Sequence, residues 1–497
     1  MGIKSLRVNA ALCLWILICG VVLSGCGYTW QEVDRMSGKA PRIYPDYSGV
    51  VFPLNIAPPN FVIQEEGERF QAAFGYDGKV DFVCGGSNPE IIIPEDKWKE
   101  LTEQAAGQEI FIRIAVRQNG SWTGFTDIKD TVSQDPIDPY LVYRLLYPGY
   151  ELWNEMGIYQ RDLTGYEEFP ILENKDFGKQ CLNCHTFNHN SPDEMMIHVR
   201  GKDGGTLIRR NGTLEKVSAS PQGAAHGSTY PAWHPSGKYI AYSMNEIQQF
   251  FHANGQKPIE VSDLAADLGV YDVVRHEMLT DSLIYGDGAM ETFPAWSPDG
   301  RTLYFCRGNA YHQGAALDSL RYDLCSIDFD PETGRFGDRI NCLYEASAKG
   351  KSVSFPRVSP DGRYLLFTQS DYGNFSIWHP ESNLYLLELA NGKIHELPSV
   401  NSKDVDSFHT WSSSGKWFVF SSKRLDGLWA RPFFAHFDPT TGQASKPFLL
   451  PQKDPHFYET FTRTYNLPEL VKAPVSDQKA LLQTVFSTNV VTTLKKQ

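Results

Sequence analysis

Five related segments of this sequence constrain its fold more than any other feature. Each segment has an aromatic residue, a spacer of three residues, Ser or His, and then a Pro/Ser-Asp/Ser turn. The aromatic residues are Phe187, Tyr230, Phe293, Phe355 and Phe408, and successive ones are 43 to 63 residues apart. This spacing is near the length of one four-stranded propeller blade with its surface loops. Because a single blade leaves both sheet faces apolar, only a ring of stacked blades buries them, and the sequence predicts a β-propeller.

A hydrophobic strand follows the turn in four of the five segments. Tyr230-Pro-Ala-Trp-His-Pro-Ser-Gly-Lys and Phe293-Pro-Ala-Trp-Ser-Pro-Asp-Gly-Arg are the most regular copies. These segments resemble the WD-like repeats of TolB-type β-propellers, over roughly residues 187–457. That resemblance implies a scaffold of six or seven blades that binds partners on one face or around a central channel. We expect a TolB-like propeller of six blades over residues 187–497, with the sixth blade from 457–474 completed by a strand from elsewhere in the chain.

The region before the repeats also has a β pattern. Residues 43–149 contain short segments in which apolar and polar residues alternate, separated by turns such as Tyr76-Asp77-Gly78 and Gln118-Asn119-Gly120. About a hundred residues of this pattern are typical of a two-sheet sandwich of the immunoglobulin or fibronectin type. We therefore predict an all-β chain: a tether at 26–42, a β-sandwich at 43–149, and a linker at 150–186 that leads into the propeller.

The N-terminus has the pattern of a lipoprotein signal peptide at residues 1–25. Lys4 and Arg7 precede an apolar run of 14 residues, and Ser24 and Gly25 stand directly before Cys26. The run is shorter than the roughly 20 residues of a membrane-spanning helix. We expect cleavage before Cys26, lipidation of its thiol, and a protein tethered to the cell envelope. The absence of an acidic residue directly after Cys26 favours the outer membrane, with the protein facing the periplasm.

Charge and cysteine content narrow the classes of partner. The net charge is −13 and the chain has no cluster of basic residues, which argues against binding nucleic acid phosphates. A periplasmic or membrane protein is the partner that the predicted location favours.

Cys306, Cys325 and Cys342 fall within one repeat, and in an oxidising periplasm two of them could form a disulfide. Free, buried thiols are the alternative that the sequence leaves open.

Residues Cys181 to His185 read Cys-Leu-Asn-Cys-His, the C-x-x-C-H pattern of covalent c-type haem attachment. In this interpretation Cys181 and Cys184 form two thioethers with one haem c, and His185 binds the iron. A redox Cys pair and a zinc site with His185 and His189 are the alternatives. The zinc site lacks a second cysteine pair at the usual spacing, and the redox pair lacks a thioredoxin-like βαβ context.

The sixth iron ligand is a separate question. His189, four residues after His185, is the first candidate, and His226 from the next repeat is the second. On a straight strand His185 and His189 would stand about 13 Å apart, whereas a helical turn would bring them within about 6 Å. The repeat register also places further polar residues at the predicted channel mouth and more possible ligands on the second strand of the first blade. These residues are Ser228, Glu291, Asp406 and His409 at the mouth, and Met195, Met196 and His198 on that strand.

The haem motif, the adjoining repeats and the preceding β-rich region together resemble the alpha chain of hydrazine synthase, another haem-bearing propeller protein. That family has a tyrosine at the offset where this chain has His189. This chain has a single C-x-x-C-H motif, so the resemblance does not imply a two-haem synthase mechanism here.

Three functional hypotheses follow from these features. The first is a lipid-anchored mono-haem cytochrome that exchanges single electrons with a partner or docks it. The second is a haem enzyme that acts on a small molecule, peroxide or a nitrogen compound, at the channel mouth. The third is a structural haem that holds together a protein-interaction scaffold.

Overall fold

The structure is a computed structural model that describes residues 28–147, 155–252, 257–312 and 314–497. The predicted signal peptide and the proposed lipidation site, Cys26, lie outside the described residues. Within those ranges, no helix has both the length and the apolar character needed to cross a membrane.

The N-terminal domain consists of two β-sheets and one helix. The larger sheet has seven strands, in which β8 pairs with β5 on one side and with β9 and β10 on the other, and the smaller sheet has the order β2-β4-β7. The bounds are β1 (Arg35–Met36), β2 (Ile43–Tyr44), β3 (Val51–Phe52), β4 (Phe61–Ile63), β5 (Arg69–Tyr76), β6 (Lys79–Gly86), β7 (Glu90–Ile91), α1 (Glu95–Gln104), β8 (Glu109–Gln118), β9 (Ser121–Gly124) and β10 (Ile128–Val132). This confirms the predicted N-terminal β domain.

Two of the predicted turns are tight hairpins with left-handed backbone. Asp77 and Gly78 have φ angles of 49° and 70°, and Asn119 and Gly120 have 53° and 82°. Positive φ at both central residues is the requirement of a two-residue hairpin whose twist matches its strands, and Asn, Asp and Gly tolerate it best. The local sequence therefore sets the register of β5 on β6 and of β8 on β9.

Six sheets follow, four with four strands and two with five, and they form a ring. We number these blades 1 to 6; the inner strands of blades 1 to 6 are β35, β14, β18, β22, β26 and β30, and each contacts the next around the circle. Blade 1 contains β11 (Tyr140–Leu146), β12 (Met156–Asp162), β13 (Glu168–Glu173) and β35 (Thr464–Val471). Blade 2 contains β14 (Cys181–Phe187), β15 (Met195–Arg200), β16 (Gly205–Arg210) and β17 (Thr213–Val217). Blade 3 contains β18 (Ser228–Trp233), β19 (Tyr239–Phe251), β20 (Ile259–Asp272), β21 (Glu277–Thr280) and the edge strand β36 (Thr493–Lys496).

The other three blades come from the middle of the chain. Blade 4 contains β22 (Ala289–Trp296), β23 (Thr302–Asn309), β24 (Tyr322–Asp330) and β25 (Arg335–Tyr344); blade 5 contains β26 (Ser352–Val358), β27 (Tyr364–Ser370), β28 (Asn383–Glu388) and β29 (Lys393–Glu396); blade 6 contains β30 (Asp406–Trp411), β31 (Trp417–Ser422), β32 (Arg431–Asp438), β33 (Gln443–Ala444) and β34 (Phe448–Leu449). The two remaining α-helices are α2 (Phe457–Thr460) and α3 (Gln478–Val485). Six blades confirm the predicted propeller.

Blade 1 closes the ring with strands from both ends of the propeller. β35 pairs antiparallel with β11, from Tyr140 opposite Val471 to Leu146 opposite Thr464. The blade that was predicted to complete the ring, here blade 1, therefore does use the 457–474 region, as predicted. The boundaries differ from the prediction, because β11 lies in blade 1 rather than in the sandwich, and β12 and β13 occupy much of the predicted linker. Six of the seven residues of β11 are buried, as expected of a strand covered on both faces.

The N-terminal domain packs against blades 5 and 6 through a continuous apolar core. The Phe52 ring lies 5.2 Å from that of Phe448 in blade 6 and 5.4 Å from Trp98 of α1. Polar contacts accompany this apolar core: the Ser413 backbone N–H donates to Asp138 at 2.7 Å. Burial of each such aromatic side chain is worth about 1.5–3 kcal/mol, so the two domains stabilise each other.

The repeat aromatics of blades 3 to 6 converge on the propeller axis. Tyr230, Phe293, Phe355 and Phe408 all have φ between 45° and 54°, in the left-handed region, and Leu467 of blade 1 has φ 51°. The ladder of each inner strand shifts register there, as a β-bulge does. The neighbouring rings of the four aromatics lie 4.4, 4.1 and 4.8 Å apart. The strained backbone thus positions a set of aromatic side chains that fills the axis.

Candidate functional site

The C-x-x-C-H motif lies on the inner strand of blade 2. β14 begins at Cys181 and ends at Phe187, and its pairing with β15 shifts register between Leu182 and His185. The sequence had placed Phe187 as the repeat aromatic at the beginning of this strand. The structure corrects that register, because the turn of blade 2 is one residue longer than the others and Phe187 is the last residue of the strand.

Cys184 takes the place of the repeat aromatic in blade 2. The Asn188 N–H donates to Glu194 O at 2.8 Å, as the His234 N–H donates to Tyr239 O at 2.9 Å in blade 3. Counting back four residues from Asn188 gives Cys184, and from His234 it gives Tyr230. Cys184 is 5% exposed, and it leaves a gap in the set of aromatic side chains at the axis.

A cavity of about 110 Å³ lies beside this gap, at the side where the inner strands begin. Both motif thiols border it, together with Arg144 of β11 and Arg200 of β15. Its remaining walls come from the ring aromatics and from the long β19–β20 hairpin. They include Tyr230, Phe355, Phe408, Asn466, Leu467, Ile247, Gln249, Ile259 and Val261.

His185 borders a second, smaller cavity of about 30 Å³ on the axis, which Cys184 also lines. The imidazole is 3% exposed, and neither ring nitrogen has a hydrogen-bond partner of normal geometry among the described residues. Burial, helped by the nearby Arg144 charge, lowers the pKa of His185 to about 3. The ring is therefore neutral at physiological pH. The backbone carbonyls of Val142 and Leu467 oppose this lowering of the pKa, but neither contact has normal hydrogen-bond geometry, and a buried imidazole held so weakly is uncommon and costly.

Arg357 and Glu469 face the same small cavity. Glu469 accepts hydrogen bonds from the Phe187 N–H at 3.3 Å and from the Thr186 hydroxyl at 3.4 Å, which ties β35 to the end of β14. Burial raises the pKa of Glu469 to about 7, with Arg357 acting in the opposite direction. These two residues position the second half of the motif strand.

The cation set at the larger cavity was not predicted from the sequence. Arg144 Nη1 donates to Asn183 Oδ1 at 2.5 Å, and its Nε has no partner among the described residues. Arg200 Nη2 donates to Thr229 Oγ1 at 3.2 Å. Burial raises the pKa of the Cys181 thiol, and both arginines lower it, which places their charges near that sulfur. Arg144 lies in a strand far from the motif in sequence, so no local signal could have indicated it.

The two predicted sixth ligands lie elsewhere. His189 follows the end of β14, and its Nε2 lies 3.0 Å from Pro235 O on the opposite face of the ring. His226 precedes β18 and its Nε2 lies 3.8 Å from Glu246 Oε2. Neither residue is among the described residues that line the two axial cavities. The helical turn that would bring His189 near His185 is a strand in the structure.

The other polar residues predicted at the mouth are mostly satisfied within their blades. Glu291 pairs with Arg307 at 2.9 Å, and Asp406 pairs with Arg424 at 2.6 Å. His409 does reach the smaller cavity, with Nε2 3.0 Å from Leu366 O. The remaining predicted residues are buried: Ser228 at the beginning of β18, and Met195, Met196 and His198 on β15. Apolar packing accounts for the two methionines.

Cys306, Cys325 and Cys342 are free thiols in the structure. Cys325 of β24 stands directly opposite Cys342 of β25. Over the described residues the structure forms no disulfide; Cys306 and Cys325 are buried, whereas Cys342 is exposed.

A c-type haem, which the motif implies, fits the donor set of this site. Two free thiols border one cavity, and a neutral imidazole with no hydrogen bond of normal geometry within the described residues follows them on the same strand, at the smaller cavity that Cys184 also lines. The cavity volume is small, since sites for large ligands usually measure about 300–1,000 Å³. A whole macrocycle therefore needs more room than this cavity provides.

Comparisons with known proteins find only low similarity. No protein-family model matches the sequence, and no curated protein is similar to it. Among solved structures, the β-propeller domain of the Trilobed protease from Pyrococcus furiosus is 13% identical, with 78% of this chain and 96% of that chain covered and a TM-score of 0.33. Oligogalacturonate lyase from Vibrio parahaemolyticus is 13% identical, with 58% and 70% covered and a TM-score of 0.35.

A puromycin-hydrolyzing peptidase from Mycobacterium tuberculosis is 12% identical, and this chain covers only 52% of its length, with a TM-score of 0.36. Scores this low carry no argument about function. The propeller assignment rests on the strand pairing of the chain itself, which is that of a six-bladed, all-β propeller preceded by a β domain.

Proposed function

We propose that this chain is a mono-haem c-type cytochrome of the cell envelope, built on a TolB-type propeller, that transfers single electrons to a protein partner. The observation that carries the proposal is the placement of Cys181, Cys184 and His185 on one inner strand at the propeller axis. Both thiols border one cavity, and neither nitrogen of the imidazole has a hydrogen bond of normal geometry within the described residues.

The residues of the chain have distinct roles in this proposal. A bound haem supplies one-electron chemistry. Cys181 and Cys184 hold it covalently, and His185 presents a neutral nitrogen to the iron, since its pKa of about 3 keeps the ring unprotonated. The aromatic side chains of blades 3 to 6 exclude water from the axis, and a dry environment tunes the potential of a haem.

Spectroscopy of the purified protein tests the proposal. The chain should be produced in cells that carry out c-type haem maturation, and a pyridine haemochrome spectrum should be recorded after denaturation and washing. We expect a c-type spectrum with one haem per chain. Cys181→Ser and Cys184→Ser should each weaken or abolish covalent attachment, whereas Cys342→Ser, an exposed thiol in blade 4, should not. A wild-type protein without haem under these conditions would refute the proposal.

The lipid anchor is the second part of the proposal. We expect the wild-type protein in the membrane fraction and the Cys26→Ala variant in the soluble fraction with its haem intact. Retention of the variant in the membrane would show that lipidation at this cysteine is not the main anchor.

A haem enzyme is the alternative function, and one observation favours it. Neither predicted sixth ligand, His189 or His226, lines the axial cavities. Among the described residues there, Met156 Sδ accepts from the Leu182 N–H at 3.0 Å and His409 Nε2 lies 3.0 Å from Leu366 O. With these two side chains so engaged, an open iron position would suit a small substrate such as peroxide or a nitrogen compound. Binding of carbon monoxide to the reduced protein distinguishes the two functions. Fast and complete binding supports the enzyme, and failure to bind supports the electron carrier.

A further inference from the structure

Two arginines at the larger axial cavity have no negative partner among the residues that the structure describes. Arg144 is 9% exposed, and its hydrogen bonds go to the neutral side chain of Asn183 and, at 3.5 Å, to the carbonyl of Leu182. Arg200 donates to the neutral hydroxyl of Thr229. Neither guanidinium is in an ion pair with any carboxylate that the structure describes.

A buried acid on β20, the strand whose Ile259 and Val261 line the cavity, is occupied by other donors. Asp263 is 1% exposed and accepts hydrogen bonds from Asn245 at 2.9 Å, from the Tyr322 hydroxyl at 2.8 Å and from Asn374. It therefore does not serve as the counter-charge for either arginine. Elsewhere in the propeller, cations near the inner strands do have acidic partners, as the pairs Arg307 with Glu291 and Arg424 with Asp406 show.

Burial of an unpaired cation is expensive, and the cost is recovered when an anion binds. A purely structural role for Arg144 would account for its bonds to the motif strand. It would not account for the unpartnered Nε of Arg144, nor for a second guanidinium on the wall of the same cavity. Arginine binds carboxylates through paired N–H groups in a planar fork.

We infer that Arg144 and Arg200 form a carboxylate-binding subsite in the larger axial cavity. This inference rests on the proposed function, because the two propionate carboxylates of a haem held by Cys181 and Cys184 would enter the same cavity. A free small carboxylate is the other source of the same chemistry. The subsite neutralises the carboxylates inside the protein and raises the reduction potential of the iron, because nearby positive charge favours the ferrous form.

The test compares purified, haem-loaded wild type with Arg144→Gln, Arg200→Gln and the matched control Arg301→Gln. Arg301 is exposed at a turn of blade 4, so its variant changes the net charge equally but far from the cavity. We expect each cavity variant to shift the redox equilibrium toward the ferric form about tenfold, which is 59 mV for one electron. Arg301→Gln should leave the potential unchanged, and Arg144→Lys should recover most of the shift.

The outcomes separate this inference from the proposed function. If the wild type carries haem but the cavity variants have wild-type potentials, the subsite is refuted while the cytochrome stands. If Arg144→Gln fails to fold or to load haem, the reduction potential of Arg200→Gln alone decides whether the subsite exists.

If the wild type carries no haem, the cytochrome is refuted. Calorimetry with succinate then decides the subsite: binding by the wild type and its loss in Arg200→Gln support a free carboxylate, and absence of binding overturns the inference.

Discussion

The inner strand of blade 2 and those of blades 3 to 6 occupy equivalent places in the ring but have different chemistry. Four blades place an aromatic side chain at the axis, each from a residue with left-handed φ. Blade 2 places Cys184 there instead. Two residues before this point, blades 4 and 6 have Glu291 and Asp406, each paired with an arginine, whereas blade 2 has Leu182.

This difference shows how a repeat fold can make room for a functional site. The aromatic side chains of four blades fill the axis by ring contacts of 4.1 to 4.8 Å. A cysteine is much smaller than phenylalanine, so its presence leaves space next to the ring and exposes a thiol to that space. The other blades then stabilise the propeller, and blade 2 contributes the reactive residues.

Phe355→Ala should have the largest effect on stability. The ring is 3% exposed and contacts those of Phe293 and Phe408, so its removal leaves a cavity at the centre of the ring of blades. We expect a loss of about 3–5 kcal/mol in the free energy of unfolding, measured by urea denaturation. Cys184→Ala, at the equivalent place in blade 2, should lose no more than about 1 kcal/mol, since it removes only a sulfur beside an existing cavity. Equal losses of unfolding free energy in the two variants would contradict the conclusion that the other blades stabilise the propeller while blade 2 contributes the reactive residues.

Glu291→Gln should change how stability depends on pH. Burial raises the pKa of Glu291 from 4.5 to about 7, with Arg307 opposing the shift. Between those values the folded protein binds more protons than the unfolded chain, so this group makes stability fall as pH rises. We expect the wild type to lose about 2 kcal/mol more than Glu291→Gln between pH 5 and pH 7. Urea denaturation at both pH values measures this, with exposed Glu332→Gln as the control.

How much of the molecule could be predicted depends on where each signal lies in the sequence. The hairpins at Asp77 and Asn119 and the repeats at Tyr230 and Phe293 are local patterns, and the structure has them where they were expected. The boundary near residue 149 was misplaced because β11 has no repeat signature. Its place in blade 1 is determined by pairing with β35, more than 300 residues away in the sequence.

Whether each residue of the candidate site could be predicted also depends on where its signal lies in the sequence. Cys181, Cys184 and His185 are adjacent, and spacing alone identified them. Arg144 reaches the cavity because ring closure brings blade 1 beside β14, and no local pattern encodes that contact. The register of blade 2 was misread because its turn is one residue longer, and the positions assigned to His189 and Phe187 shifted with it.

His185→Leu should have a smaller effect on stability, in an unusual direction. The imidazole has two buried nitrogens with no hydrogen bond of normal geometry within the described residues, and a leucine of similar size removes the cost of burying them. In protein produced without haem maturation, we expect the variant to match the wild type or exceed its unfolding free energy by about 1 kcal/mol. His409→Leu is the matched control. It should be less stable by about 1 kcal/mol, because it breaks the contact with Leu366 O. A destabilised His185→Leu variant would indicate that the imidazole has a structural partner.

The smallest effect is expected at His189, on the opposite face of the ring from the two motif thiols. Its φ of 50° suits asparagine, so His189→Asn removes the imidazole with little backbone strain and should cost less than about 0.5 kcal/mol. Because His189 does not line the axial cavities, we expect the low-temperature electron paramagnetic resonance spectrum of the ferric haem protein to be unchanged. His226→Asn should behave in the same way. A conversion from low spin to high spin in one variant would identify that histidine as the sixth ligand, and blade 2 would then need its neighbouring loops to complete the site.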